Sequence, residues 1–221
     1  MKADPPSQRA GKDLGFVHHF EPGTSDETLL LLHGTGGDER DLIPIGQRAA
    51  PRANLLSPRG QVLENGMPRF FKRTAVGIFD EADLVRRAGD LGRFVRAAAE
   101  RYGFDPAKVR ALGYSNGANT AAALLLLDPF LLAGAALLRA ILPLEPPRPP
   151  DLTGTPVLMS AGRRDPYAPI ERVEALADRL TRAGAKVDLR WTDAGHALLP
   201  TEIDEVAEWL ASKSPSRRSP A

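Results

Sequence analysis

Short apolar runs alternate with helical patterns along this chain, and that alternation constrains the fold more than any other feature. The runs that predict strands are residues 28–32, 53–56, 109–114, 132–138, 156–161 and 187–191. The patterns that predict helices are residues 41–50, 83–102, 116–127, 170–183 and 202–211. A strand that is apolar on both faces must be covered on both faces, which is typical of parallel sheets. The alternation therefore predicts an α/β fold, with a mainly parallel central sheet and helices on both faces.

The length of 221 residues is suited to one domain of this class. Residues 14–211 are predicted to form that domain, residues 1–13 a flexible leader, and residues 212–221, rich in Ser, Pro and Arg, a disordered tail. Residues 140–154 are too few and too rich in proline to form a helical lid. The sequence thus predicts an open cleft with no lid domain.

Composition excludes several classes of partner and site. The 29 basic and 28 acidic side chains give a formal net charge of +1, so nothing indicates a nucleic acid or an anionic membrane as partner. The chain has no cysteine, which excludes disulfides, thiolate chemistry and cysteine-ligated metals. No apolar segment resembles a signal peptide or a membrane span, and we expect a cytoplasmic protein. A homodimer is compatible with the sequence.

The segment Gly-Tyr-Ser-Asn-Gly at residues 113–117 matches the G-x-S-x-G nucleophile elbow. In that motif a serine occupies a strained turn between a strand and a helix, and flanking glycines prevent clashes. An ordinary Gly-Ser turn has the same pattern. Here a predicted strand precedes the serine and a predicted helix follows it, and this context favours Ser115 as a nucleophile.

A serine hydroxyl needs a positioned base, which in this motif follows the serine and the acid in the chain. Of the four histidines only His196 lies after Ser115. Asp165 follows a predicted strand and is expected at the same sheet edge, so it is favoured as the acid that orients the base. Asp193 is the main alternative, since it lies three residues before His196 and its other role would be to cap a local turn. Asp188 is less favoured because it lies within a predicted strand.

Backbone amides must also stabilise the oxyanion of a tetrahedral intermediate. The amide of Asn116, directly after the serine, is one candidate. The amide of Thr35 is the other, because it lies in a glycine-rich turn after the predicted strand 28–32. That turn does not complete a phosphate-binding pattern. His33 is expected to support the turn, whereas His18 and His19 have no evident partner and are expected at the surface or in a strand. The sequence implies neither a metal nor an organic cofactor.

Five short segments, spread over about residues 27–211, together resemble the phospholipase/carboxylesterase family of α/β-hydrolases, with its small bacterial carboxylesterases and acyl-protein thioesterases. They are LHGTGGDE at residues 32–39, SPRG at 57–60, GYSNGAN at 113–119, SAGRRD at 160–165 and AGH at 194–196. The resemblance implies an α/β-hydrolase fold, Ser115 as nucleophile, Asp165 as acid and His196 as base. It also implies Thr35 and Asn116 as oxyanion donors. The thioesterases usually carry Ser-Gln-Gly where this chain has Ser-Asn-Gly, which disfavours protein deacylation.

The substrate pocket is expected to involve the long turn-rich segment 57–83, which carries several aromatic side chains. The candidates for its wall are Leu42, Met67, Phe70, Phe71, Phe79 and Leu198, with Leu199 as an alternative to Leu198. Anchoring of the segment to the core explains the aromatic rings equally well. Arg69, Lys72 and Arg73 could meet an acidic substrate group, although a solvated charged face is the more ordinary role.

These features predict a serine esterase that cleaves small esters with short to medium acyl or aromatic groups through an acyl-enzyme. An acyl-thioesterase is the nearest alternative. A ligand-binding protein without catalysis, on the same scaffold, is a more remote one.

Overall fold

The computed structural model describes residues 14–146 and 148–212. The leader expected at residues 1–13 and the tail from residue 213 onward lie outside these residues, whereas Ser212 ends the last helix. The strands are β1 (His18–Glu21), β2 (Thr28–Leu32), β3 (Asn54–Pro58), β4 (Val62–Glu64), β5 (Met67–Arg69), β6 (Arg73–Ala75), β7 (Ile78–Phe79), β8 (Val109–Tyr114), β9 (Gly134–Leu138), β10 (Pro156–Gly162) and β11 (Lys186–Thr192). The helices are α1 (Ile43–Ala49), α2 (Glu81–Tyr102), α3 (Asn116–Leu127), α4 (Ile170–Arg182) and α5 (Pro200–Ser212), with one 3₁₀ turn at Pro106–Lys108.

Seven strands form the central sheet in the order β1-β3-β2-β8-β9-β10-β11. Only β1 is antiparallel, to β3, and the other neighbours are parallel. Strand β2 shows why the sheet needs cover on both sides. Leu30 and Leu32 pack into one hydrophobic core, while Leu29 and Leu31 pack into the other. The expected α/β-hydrolase arrangement, with a mainly parallel sheet between two layers of helices, is confirmed.

The two cores have different helical partners. Buried side chains of α2, α3 and α4 fill the core on the Leu30 face. Side chains of α1 and α5 cover the Leu29 face, and these two helices contact each other. Each predicted helix and strand is present, with ends shifted by at most two residues.

Strand β1 was not among the predicted strands, although a strand was one of the two positions expected for His18 and His19. It pairs with β3 in the register His18–Pro58 to Glu21–Leu55. His18 is buried there, and its Nε2 lies 2.7 Å from the Tyr102 hydroxyl, so the partner that the sequence did not reveal is on helix α2.

Segment 57–83 contains two small hairpins, β4–β5 and β6–β7, between β3 and α2. The described residues between β9 and β10 contain no helix, in agreement with the absence of a lid domain. Within the described ranges, none of the helices has the length and apolar character required to cross a bilayer.

Candidate active site

Ser115 lies in the turn that joins β8 to α3. Its backbone has φ 52° and ψ −114°, a conformation that a residue with a side chain rarely adopts. The Ser115 N–H donates to the carbonyl of Leu138 on β9 (2.8 Å), which helps to hold the turn. A Cβ on Gly117 would come within 1.9 Å of the Leu32 carbonyl oxygen, so only glycine lets α3 approach β2 this closely.

Three side chains that are distant in the sequence meet beside this turn. His196 Nε2 lies 2.9 Å from Ser115 Oγ, and His196 Nδ1 lies 2.8 Å from Asp165 Oδ2. The Asp165 side chain is fully buried, whereas the His196 side chain is 25% exposed. Each of the three follows a parallel strand (β8, β10 and β11), and the carboxyl ends of such strands share one sheet edge.

The structure gives the other two aspartates different surroundings. Asp193 contributes its carbonyl oxygen, which accepts a hydrogen bond from Arg164 Nε (2.8 Å). Asp188 pairs with Arg190 Nη2 (2.7 Å) on β11, at the surface. The second carboxylate oxygen of Asp165 accepts from the Tyr167 N–H (2.8 Å). Two bonds therefore fix the carboxylate that faces the imidazole.

The glycine-rich turn after β2 is held by the β4–β5 hairpin. Gly36 N–H donates to the carbonyl of Pro68 (2.9 Å), and Thr35 Oγ1 accepts from Arg69 Nη1 (3.0 Å). Across the site, Asn116 Oδ1 accepts from the Phe70 N–H (2.8 Å). The hairpin thus connects the two positions that the sequence suggests as oxyanion donors, Thr35 and Asn116.

His33 supports the same turn through two hydrogen bonds, as the sequence predicted. The Gly60 N–H donates to His33 Nε2 (2.9 Å), so Nε2 is unprotonated and Nδ1 donates to the Gly34 carbonyl (2.7 Å). Burial lowers the pKa of His33, which favours this neutral form.

A cavity of about 310 Å³ opens beside Ser115 and His196. Its wall consists of Thr35, Arg69, Arg73, Val76, Gly77, Phe79, Tyr114, Ser115, Asn116, Asn119, Arg139, Ile141, Tyr167 and His196. The aromatic rings of Tyr114 and Tyr167 lie against the His196 imidazole, with centroids 5.4 and 5.0 Å away. Sequence reasoning assigned neither tyrosine to the site, since Tyr114 occupies a variable position of the G-x-S-x-G motif and Tyr167 belongs to no motif.

The structure corrects most of the expected pocket wall. Phe79 is the one candidate that lines the cavity. Phe70 and Phe71 are buried in the core on the α2 face, so they anchor the segment instead. Leu42 and Leu198 pack with the core on the α1 and α5 face. Met67 is 41% exposed and Leu199 40%, and both lie away from the cavity wall, as does Lys72.

Arg139 is a further residue that sequence reasoning missed. It follows β9 with φ 62°, and its side chain is fully buried. Its guanidinium forms two hydrogen bonds to the Glu202 carboxylate (2.6 and 2.8 Å). It also donates to the carbonyls of Gly195 and Ala197 (3.0 Å each), on either side of His196. Arg139 therefore clamps the loop that carries the imidazole.

Glu202 completes the clamp from helix α5. It accepts hydrogen bonds from the Leu199 N–H (2.8 Å) and from Ser160 Oγ, besides those from Arg139. Burial raises the pKa of the Glu202 carboxyl, but these hydrogen bonds outweigh burial and hold the pKa below its ordinary value. The loop carrying His196 is thus fixed by a buried, ionised pair.

Known proteins are similar to this chain in sequence and fold. A family model described as Phospholipase/Carboxylesterase matches residues 21–214. The Bacillus subtilis (strain 168) protein named "Putative hydrolase MhqD" is 48% identical over 192 residues, which cover 87% of this chain and 96% of that protein. The structure of the Bacillus cereus carboxylesterase matches with a TM-score of 0.89 at 42% identity, over 91% of this chain and 96% of that one. A Mesorhizobium loti carboxylesterase matches with a TM-score of 0.87 at 35% identity, over 94% and 99%.

Proposed function

The chain belongs to the phospholipase/carboxylesterase family of α/β-hydrolases and is a carboxylic ester hydrolase, and we propose that Ser115, His196 and Asp165 are its catalytic triad. The observation that carries the proposal is the unbroken chain of contacts from Ser115 Oγ through the imidazole to the buried Asp165 carboxylate. Nucleophile, base and orienting acid require this order of contacts.

The reaction is acyl transfer in two steps. His196 Nε2 accepts the Ser115 proton while Oγ attacks the ester carbonyl, and the same proton then passes to the departing alcohol oxygen as the C–O bond breaks. Water, deprotonated by His196, attacks the acyl-serine, and the carboxylic acid leaves with Ser115 regenerated. Asp165 holds the proton of the resting imidazole on Nδ1 and stabilises the imidazolium.

The amides of Thr35 and Asn116 stabilise the oxyanion. Both residues line the cavity beside Ser115, and Asn116 N–H belongs to the first turn of α3, where backbone N–H groups favour negative charge. The hydrogen bonds from Arg69 to Thr35 Oγ1, and from the Phe70 N–H directly after β5 to Asn116 Oδ1, support fixed positions for both amides.

The substrates are small esters with a short to medium acyl or aromatic group. A cavity of about 310 Å³ lies at the lower end of the range for ligand sites. Val76, Phe79, Ile141 and Tyr167 supply the apolar part of its wall.

A fluorophosphonate probe tests the nucleophile directly, because it phosphonylates an activated serine. We expect the wild type and Ser25→Ala to be labelled and to hydrolyse p-nitrophenyl acetate, since Ser25 lies away from the cavity. Ser115→Ala is expected to remain unlabelled, with kcat lower by about four to six orders of magnitude and an unchanged Tm. Labelling of Ser115→Ala, or failure to label the wild type, would contradict the proposal. The rates on matched acetyl oxyesters and thioesters then decide between esterase and thioesterase.

A further inference from the structure

The ionisable side chains that line the cavity are all basic, apart from the tyrosines. Arg69, Arg73, Arg139 and His196 line the cavity, and none of the described residues on its wall is an aspartate or a glutamate. The carboxylates that neutralise these groups lie behind the wall. Whether the wall has an excess of positive charge therefore depends on how many carboxylates form ion pairs with each arginine.

Arg139 contributes no excess charge, because its two bonds to Glu202 are internal and fully buried. Asp165 adds a buried carboxylate on this side, since it faces the His196 imidazole and lies 4.0 Å from Arg139 Nε. The remaining two arginines determine the charge on the hairpin side of the wall.

Arg69 and Arg73 share one carboxylate. Glu64 Oε2 lies 2.8 Å from Arg69 Nη1, and Glu64 Oε1 lies 2.9 Å from Arg73 Nε. The hydrogen bond from Arg73 lowers the pKa of Glu64, so this carboxylate is ionised at neutral pH. Two positive charges against one leave this part of the wall with a net charge of about +1.

The two arginines differ in access to the cavity. The Arg69 side chain is only 3% exposed, and its guanidinium is occupied by Glu64, Thr35 Oγ1 and the Phe71 carbonyl. The Arg73 side chain is 25% exposed. Within residues 14–146 and 148–212, we find no partner for its Nη1 and Nη2 atoms. Arg73 therefore presents unused donors where a ligand can reach them.

A further arginine backs the same wall. Arg172 donates to the carbonyls of Gly77 and Leu142, and its guanidinium lies over the Phe79 ring, 5.6 Å from the centroid. In the part of the chain that the structure describes, its hydrogen-bond partners are these neutral carbonyls. Its charge adds to the positive potential on the Arg73 side of the cavity.

We propose that the cavity selects esters that also carry a carboxylate away from the scissile carbonyl, and that Arg73 binds this carboxylate. This inference rests on the proposed function and specifies its substrate class. A guanidinium forms two parallel hydrogen bonds with a carboxylate, and such charge-assisted bonds are the strong ones. Arg73 is paired across the hairpin with Phe79, so the carboxylate site lies beside an aromatic wall.

Two pairs of matched esters test the proposal. Meta-acetoxybenzoate and its neutral amide, meta-acetoxybenzamide, place the group in the alcohol half. Monoethyl glutarate and ethyl glutaramate place it in the acyl half. Each acid has the size of its amide and differs mainly in charge. We expect kcat/KM to be about tenfold higher for the acid in at least one pair, chiefly through a lower KM, and to find that raising the salt concentration reduces this ratio.

Variants of Arg73 assign the effect. Arg73→Gln is expected to bring the acid-to-amide ratio to about one, and Arg73→Lys to keep most of the preference because it keeps the charge. Arg93→Gln is the matched control, since Arg93 is an exposed residue of α2 paired with Asp90, and its ratio is expected to equal that of the wild type.

The outcomes separate this inference from the proposed function. Equal rates on acid and amide in both pairs, or an undiminished preference in Arg73→Gln, would overturn the inference while leaving esterase activity intact. Absence of hydrolysis of all four esters, together with absence of fluorophosphonate labelling, would instead contradict the proposed function.

Discussion

At the scale of single residues, we expect substitution of the two aspartates near His196 to have different effects on catalysis. Asp165 Oδ2 contacts His196 Nδ1, whereas Asp193 offers its backbone carbonyl to Arg164. Asp165→Asn places an amide against the imidazole and favours the wrong tautomer, so we expect kcat to fall by about three to four orders of magnitude. Asp193→Asn is the matched control and is expected to stay within a few-fold of the wild type. Steady-state rates on p-nitrophenyl acetate measure both, and the opposite ranking would assign the acid to Asp193.

Arg139 allows a prediction about stability. Arg139→Met removes one partner of a fully buried pair and leaves Glu202 charged without compensation. Such a loss costs about 3–5 kcal/mol in the free energy of unfolding. Arg139→Met combined with Glu202→Gln removes the uncompensated charge and is expected to recover a large part of that loss. Urea denaturation measures the effect, and a cost below ~1 kcal/mol for the single variant would show that the clamp is unimportant.

Residues differ in how far the sequence reveals them. Ser115 and His196 were predicted because a local motif and a fixed order along the chain single them out. Arg139 was missed because its partner, Glu202, lies 63 positions away and neither residue belongs to a motif. Phe70 and Phe71 were predicted on the pocket wall but lie in the core, since the sequence of a turn-rich segment does not specify which rings point inward.

At the scale of secondary-structure elements, the close crossing of α3 over β2 determines the turn that carries Ser115. A Cβ at Gly117 would overlap the Leu32 carbonyl at 1.9 Å, and backbone atoms cannot give way as a flexible side chain can. We expect Gly117→Ala to lower the free energy of unfolding by more than about 3 kcal/mol and to abolish fluorophosphonate labelling.

Gly89→Ala provides the control for that variant. Gly89 is an exposed residue of helix α2, where an added Cβ meets only the end of the Arg93 side chain at 3.6 Å. Alanine there is expected to stabilise the protein by about 0.5–1 kcal/mol, because it favours helix. Comparable urea midpoints for the two variants would mean that the turn tolerates a side chain.

Elements with a long local pattern were predicted, whereas the short strands were not. Strand β8 and helix α3 have the predicted ends because an apolar run and a helical run meet at the motif. Strand β1, with the sequence His-His-Phe-Glu, lacks an apolar run and is a strand because it pairs with β3. The β4–β5 hairpin was not predicted either, although it carries a local signal in Asn65-Gly66, where both residues have the positive φ of a type I′ turn.

At the scale of the whole molecule, the parallel sheet brings the site together. The proposed nucleophile, acid and base follow β8, β10 and β11, whose carboxyl ends lie at one edge, and the two hairpins of segment 57–83 close the side of the cavity. The pattern of apolar runs is sufficient to predict that edge. It does not predict the cavity, because hairpins and charged pairs between distant segments shape its walls.

The same architecture predicts kinetics without interfacial activation. Lid-bearing lipases gain activity when an oil surface opens the lid. Here the described residues between β9 and β10 contain no helix that could act as a lid. The cavity is also open to solvent, since Val76 and Tyr167 on its wall are 56% and 52% exposed. Hydrogen bonds from Arg69 and to Asn116 hold the β4–β5 hairpin side of the site in place. We expect the initial rate on tributyrin to rise hyperbolically and to level off at its solubility limit. A sharp increase in rate once droplets form would instead require a surface-dependent opening of the hairpins, and hydrogen exchange at the Phe70 N–H with and without droplets would detect it.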